Sequence, residues 1–291
     1  MIVSCLEGGL GNQMFQYAAG RALAKSLGTT LSLDLSFFKQ KSLSVTSRDY
    51  ELGCFNIEEN ITDSSNNIFL KLAKKLPFLF HILNKRVLID RNVDFMSDFF
   101  QTCDETRLIG YWQSYKYFSD INDTLFRDFQ PRNSFCLQNE EFSNKLTVDK
   151  HSFALHIRCG DYLNLPSATN YHGNLSLSYY QDAINFIYKH DEFAKIIIFS
   201  DDIDWCKIHF KELQNVDFAP SPTSAKPWED MVLMSLCRGN IIANSSYSWW
   251  SAWLGDIRYG IKDRQVIAPN RWFSQQSFSV ADRFPPHWKL I

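Results

Sequence analysis

From Phe153 onward, short apolar runs alternate with segments of helical periodicity, and this alternation constrains the fold more than any other feature of the chain. Phe153–Ile157, Lys195–Phe199, Val216–Ala219, Ile241–Ala243 and Gln265–Ala268 have the length and bounding residues of strands. Between them, Ser178–Lys189, Pro227–Gly239 and Trp249–Ile257 carry helical spacing, the first with Tyr180, Ile184 and Ile187 on one face. Pro227 sits where a helix tolerates proline, and Glu229 and Asp230 fall in the first turn, where the helix dipole favours acids. Strands separated by helices pair in parallel, so this half is expected to form a doubly wound sheet.

The amino-terminal half begins the same way. Ile2–Leu6 is strand-like, Glu7-Gly8-Gly9-Leu10-Gly11-Asn12-Gln13 is a loop, and apolar residues recur helically from Met14 until Gly28 stops them. Leu31–Leu35 is a second strand. The loop lacks a third glycine, since Met14 stands there, and Glu7 would repel a pyrophosphate, so it is not a dinucleotide fingerprint. Its glycines still allow close backbone approach, and a helix start offers N–H groups to an anion. A tight strand-to-helix turn is the alternative. Leu108–Gln113 is a further strand ending in aromatics, of which Trp112 suits stacking on a sugar or packing in a core. Residues 131–150 look like the passage between two domains, expected as 1–148 and 149–291.

Chemistry concentrates behind the strands of the second half. His156, Arg158, Cys159, Asp161 and Tyr162 follow one strand, Asp201 and Asp202 another, and Asn244 to Ser248 a third. Ligands of parallel α/β sheets bind at these carboxyl ends. A fixed guanidinium at Arg158 matches two phosphate oxygens at once. A carboxylate such as Asp202 suits a ribose hydroxyl or a base N–H, and Ser245 and Ser246 at a helix start suit phosphate. Helix capping is the alternative for Asp202 and for the serines. Together the three loops describe a nucleotide diphosphate site with no metal requirement.

Charge and cysteine usage narrow the classes further. With 30 basic and 32 acidic residues there is no global field for nucleic acid. Seven cysteines, widely spaced and without a Cys-x-x-Cys pair, suggest neither a disulfide framework nor a zinc site, and fit a reducing cytoplasm. No leader pattern or membrane-length apolar run is evident. The mixed basic and apolar stretch 71–86 is read as a packed helical insertion. Peripheral contact with an anionic surface, the cytoplasmic face of an inner membrane, is the alternative.

Four motifs in order are similar to the signatures of glycosyltransferase family 11, the bacterial α-1,2-fucosyltransferases using GDP-fucose. They are Gly8-Gly-Leu-Gly-Asn-Gln-Met-Phe-Gln-Tyr-Ala18, Gly110-Tyr-Trp-Gln-Ser-Tyr-Lys-Tyr-Phe118, His156-Ile-Arg-Cys-Gly-Asp-Tyr162 and Asn244-Ser-Ser-Tyr-Ser-Trp-Trp-Ser-Ala-Trp253. The resemblance implies a GT-B-like α/β fold, two Rossmann-like domains facing across a cleft, with GDP-fucose held mainly by the second and an oligosaccharide acceptor on the side of the first. It implies Arg158 on the diphosphate, His156 and Asp202 on the guanosine, Ser245 and Ser246 on phosphates, and Asn12 reaching the donor. Gly9, Gly11, Gln13, Tyr162 and Trp112 join the candidates for substrate contact. The chain departs from the family at Cys159, where a second arginine is usual; Arg238, Arg258 and Arg271 are candidates to replace it. The implied reaction is a single displacement with inversion, with Asp161, then Glu7, as base. No cofactor beyond the donor substrate is implied. A different nucleotide sugar on the same scaffold, or a lapsed enzyme that only binds, are the competing readings.

Overall fold

A computed structural model of the chain describes residues 1–39, 48–62, 86–90, 94–158, 175–221, 224–273 and 282–291. It divides into two compact units, Met1–Arg132 with Ala281–Arg283, and Asn133–Val280 with Phe284–Ile291. The helix α3 (Leu137–Val148) therefore belongs to the second unit, and the division falls before it rather than at 148/149. Asn139 and Cys136 tie this helix's start to Glu229, whose carboxylate accepts from Asn139 Nδ2 at 2.8 Å and Cys136 N at 3.1 Å.

In the first unit, β1 (Ile2–Cys5), β2 (Leu31–Asp34), β3 (Ile61–Thr62), β4 (Val87–Ile89) and β5 (Arg107–Ile109) form a parallel sheet in the order β3-β2-β1-β5-β4. The helix α1 (Leu10–Ser26) begins four residues before the periodicity suggests, directly after Gly9, and is buried on nearly every side. Its polar residues Gln13 and Gln16 are wholly buried, a cost that only complete hydrogen bonding offsets. The short helix α2 (Asn122–Asp128) completes the described α-helices here.

The second unit holds β6 (Ser152–Ile157), β7 (Lys195–Ser200), β8 (Val216–Phe218), β9 (Gly239–Ile241), β10 (Gln265–Ala268) and β11 (Lys289–Leu290), all parallel, ordered β11-β10-β9-β6-β7-β8. Alternate residues feed opposite layers, as the pleat requires. Phe153, Leu155, Ile157, Ile196 and Ile198 pack with Ile184 and Ile187 of α4 (Leu177–His190) and Cys206 of α5 (Ile203–His209). Ala154, Ile197 and Phe199 pack instead with Leu146 of α3 and with Leu233 and Met234 of α6 (Pro227–Leu236). α7 (Ser246–Tyr259) lies against α6 and buries Trp249, Trp250 and Trp253. Strands covered on both faces are why these runs are apolar throughout.

A buried ionic knot closes the amino edge of this sheet. Asp256 accepts from Arg264 Nε at 3.1 Å, from Trp288 Nε1 at 2.7 Å and lies 2.8 Å from His287 Nε2. Arg264 also donates to the carbonyl of Cys237 and to Asn240. Removing one member of such a knot strands the others, so Arg264→Leu should cost about 3 kcal/mol of stability by urea denaturation. Lys207→Ala, whose Asp204 pair is exposed, should cost well under about 1 kcal/mol.

Candidate functional site

In the second unit the strand order reverses beside β6. The loop after β6 leads to α4 on one face, while its neighbour β9 leads to α7 against α6 on the other. A crevice opens where neighbouring connections part in this way, and Arg158 and Ser245 stand on its two sides. His156 is half-buried, and its enclosed Nδ1 has no hydrogen-bond partner among the described residues. Burial, then the charge of Arg158, push its pKa down to about 4, against the opposing pull of Asp201. The imidazole is therefore neutral near pH 7, which suits binding and not acid catalysis. It lies 5.7 Å from the ring of Tyr247, whose hydroxyl accepts from Met231 N and donates to the Pro227 carbonyl. Tyr247 thus couples the crevice to the start of α6.

A cavity of about 570 Å³ lies at that start, lined among others by Ser200, Asp202, Lys207, Ser221, Lys226 and Asp230. Asp202 takes the capping part foreseen as the alternative, Oδ1 capping α5 by accepting from Trp205 N at 2.9 Å, and the residue also lines the cavity. Asp230 was legible only as a dipole-favoured acid, and the structure gives it more. Glu229 beside it is spent on the Lys226, Cys136 and Asn139 donors, whereas the Asp230 carboxylate makes no hydrogen bond among the described residues. Burial, then Glu229, push its pKa up to about 6. Ser245 caps α7 by position, yet its hydroxyl makes no capping bond; Ser246 opens the helix. Asp161, Tyr162 and Cys159, with Gly160, lie outside the described residues, as does nearly all of 71–86. Of the arginines considered in place of the usual second one, Arg238 stacks on Tyr259 at the amino edge of the sheet and Arg258 ends α7 there. Both are on the wrong edge. Arg271 follows β10 on the carboxyl edge and lines a smaller cavity of about 290 Å³.

The first unit repeats the arrangement. Its order reverses at β1, so the loops after β1 and β5 flank a crevice. Gly8 has φ +80°, and a Cβ there would lie 2.7 Å from Asn12 Nδ2. Gln13, expected at the substrate, is instead an internal brace. Its amide donates to the Gly8 and Asp49 carbonyls and accepts from Glu51 N, leaving it nothing for a ligand. Gln16 braces likewise, accepting from Glu7 N and donating to the Gly110 carbonyl. The Glu51 carboxyl lies near Gly9 and accepts from Leu10 at the start of α1, which makes this helix start a poor anion site. Gly9 is half-buried and Gly11 is enclosed in the first turn of α1. Trp112 takes φ +54° and turns inward, fully buried against Phe99 and Tyr117, so it packs the core and stacks on no sugar. Its neighbour Tyr111 is the exposed ring, at 44%.

The model of "Glycosyl transferase family 11" matches residues 3–291. The chain belongs to glycosyltransferase family 11. It is a glycosyltransferase of fucosyltransferase-like type, built from two parallel-sheet units. An O-antigen biosynthesis glycosyltransferase, WbnK, of Escherichia coli is 33% identical over 289 residues, covering 93% of this chain and 94% of that one. An Escherichia coli α-1,2-colitosyltransferase is also 33% identical, over 100% of this chain and 99% of its own. Human galactoside α-(1,2)-fucosyltransferase 1 is 24% identical over 63% of this chain and 55% of its own. Among the described residues of this family 11 chain, no helix is long and apolar enough to cross a membrane, and no cluster of three or more His, Cys, Asp or Glu side chains could hold a metal ion.

The two displaced pKa values pull stability in opposite directions. His156 drops from 6.5 to about 4, so the unfolded chain binds the extra proton and stability falls as pH drops through that window. Asp230 rises from 3.8 to about 6, so the folded chain binds the extra proton and stability gains as pH drops through about 6. Asp230→Asn should therefore unmask a steeper acid loss of stability between pH 6.5 and about 4, read as melting temperature against pH.

Proposed function

We propose that this chain is an inverting α-1,2-fucosyltransferase, moving L-fucose from GDP-β-L-fucose to a galactose-containing glycan. The observation that carries the reading is the polar side chains at one edge of the second sheet that spend no hydrogen bond on the protein. They are the His156 Nδ1 and, among the described residues, the Asp230 carboxylate, beside the fixed charge of Arg158 and a Ser245 hydroxyl that makes no capping bond. Buried polar groups are ordinarily satisfied, so an unsatisfied set around one crevice is held for a ligand.

The set divides as a guanosine diphosphate does. Guanine presents an N–H and an amine side by side, which a carboxylate accepts together; Asp230, with Asp202 beside it, supplies that acceptor. Uracil and thymine lack the pair. The neutral His156 suits the nucleoside, and Arg158 with Ser245 and the first turn of α7 suits the diphosphate. The acceptor hydroxyl attacks the anomeric carbon opposite the diphosphate. The bond from that carbon to the phosphate oxygen breaks, and its electron pair leaves with GDP. Arg158 and Ser245 offset the growing negative charge in a fixed geometry. The hydroxyl proton passes to a base, Asp161 first and Glu7 second. Arg271, on the same edge, is the guanidinium nearest in topology to replace the missing second arginine. Tyr111 offers its face to the acceptor sugar. The reaction needs no metal in this account, and the cysteine pattern supports a cytoplasmic setting.

The α-1,2-colitosyltransferase relative favours one other reading, a colitosyl donor, since colitose is fucose without one ring hydroxyl. Transfer of labelled fucose from GDP-fucose to lactose and N-acetyllactosamine separates the two. Wild type is expected to transfer, and Arg158→Ala to lose ~10²–10³-fold in kcat/KM. Preference for the colitosyl donor would support the second reading, and equal use of a UDP-sugar would contradict both. Tyr111→Ala should raise the acceptor KM roughly tenfold, from the ~1–2 kcal/mol of a lost stacking contact, and leave the donor KM unchanged. Excess chelator should leave the rate unaltered, and loss reversed by a divalent cation would overturn metal independence.

A further inference from the structure

Two lysines line the cavity at the start of α6, and they differ in what they already do. Lys207 pairs with Asp204 of the same helix, α5, at 3.1 Å, so its charge is spent locally. Lys226 is exposed and forms no ion pair among the described residues. Its backbone N–H donates to Glu229 Oε1 at 2.9 Å in the cap of α6, a bond that leaves the side chain uncommitted.

Position then decides what the Lys226 ammonium can meet. Lys226 is the N-cap of α6 and Asp230 is the fourth residue of that helix, so the two stand one helical turn apart and line the same cavity. They do not pair with each other: the Asp230 carboxyl feels burial and Glu229, and no attraction from Lys226. A donor and an acceptor are thus presented side by side and unjoined, which is the complement of a ring carbonyl next to a ring N–H. Guanine carries that edge, with the O6 carbonyl, the N1 hydrogen and the 2-amine in a row. With the last two on Asp230, the carbonyl is left for the neighbouring donor. The flexible lysine stem lets its ammonium swing to that oxygen without moving the helix.

We propose that Lys226 is a specificity-determining residue that donates to the O6 carbonyl of the guanine base, and that with Asp230 it reads the base across one turn of α6. This rests on the reading above that the cavity takes the base of a guanosine diphosphate. Adenine is then rejected twice, because it offers an amine to Lys226 and an unprotonated ring nitrogen to Asp230.

Calorimetric titration of the full chain with GDP, inosine diphosphate and ADP at neutral pH tests it, on wild type, Lys226→Met and Asp230→Asn. Inosine diphosphate keeps the carbonyl and ring N–H of GDP and lacks the amine, whereas ADP lacks all three groups. Lys226→Met should weaken GDP and inosine diphosphate alike by about tenfold, the worth of one hydrogen bond from a charged group, and leave ADP no weaker. The ratio of GDP to inosine diphosphate affinity reports the amine at Asp230. It should not move with Lys226→Met and should collapse in Asp230→Asn. The melting temperature of Lys226→Met should match the wild type, since the side chain is exposed and the capping bond is made by the backbone. Equal weakening of all three nucleotides would overturn the proposal, because the charge would then act on the diphosphate. A Lys226→Met variant that binds GDP as the wild type does would overturn it too. In either case a wild-type preference for GDP over ADP leaves the guanosine reading standing, and the absence of that preference would overturn both.

Discussion

Parallel pairing is the constraint on which the rest depends. When every strand of a sheet runs the same way, every loop that follows a strand emerges at one edge, and every helix returns to the other. In the second unit this brings Arg158, Asp201 and Asp202, and Ser245, which are distant in sequence, to neighbouring positions behind β6, β7 and β9. The β6–β9 pairing at Leu155 and Ile241 sets their level. The price of that convergence falls at the amino edge, where Asp256 and Arg264 close the sheet with a knot that plays no part in chemistry.

Buried polarity is handled in two ways. In the first, Gln13 and Gln16 are saturated, and their bonds hold the glycine loop and the loop after β5 in shape. In the second, the His156 Nδ1 and the Asp230 carboxylate accept no hydrogen bond among the described residues. An amide satisfied by three backbone groups is a scaffold, while a carboxylate whose pKa is pushed up by burial with nothing to accept from is waiting for a donor.

Much of this was legible in sequence. The apolar runs gave β6 and β7 to within a residue, and Tyr180, Ile184 and Ile187 face the core as their spacing implies. The strand ends carrying His156, Arg158 and Ser245 were placed because parallel topology follows from alternation alone. What escaped was whatever depends on a single backbone angle or on a distant partner. Trp112 and Tyr111 are equivalent in sequence, and only the positive φ at Trp112 decides which ring enters the core. Asp230 was indistinguishable from Glu229 until the capping bonds of Glu229 were seen. The helix Leu137–Val148 was hidden by its exposed ends, Leu137 and Val148, which blur its amphipathic pattern.

The central claim is that the carboxyl edge of the second sheet recognises a guanosine diphosphate through a carboxylate and a fixed cation. Calorimetric titration of GDP and UDP into the wild type at neutral pH, repeated with Asp230→Asn, tests it most directly. The account predicts that GDP binds at least about tenfold more tightly than UDP, and that Asp230→Asn erases most of that preference by removing the paired acceptor for guanine. Equal binding of the two nucleotides by the wild type, or a preference that survives Asp230→Asn intact, would contradict it.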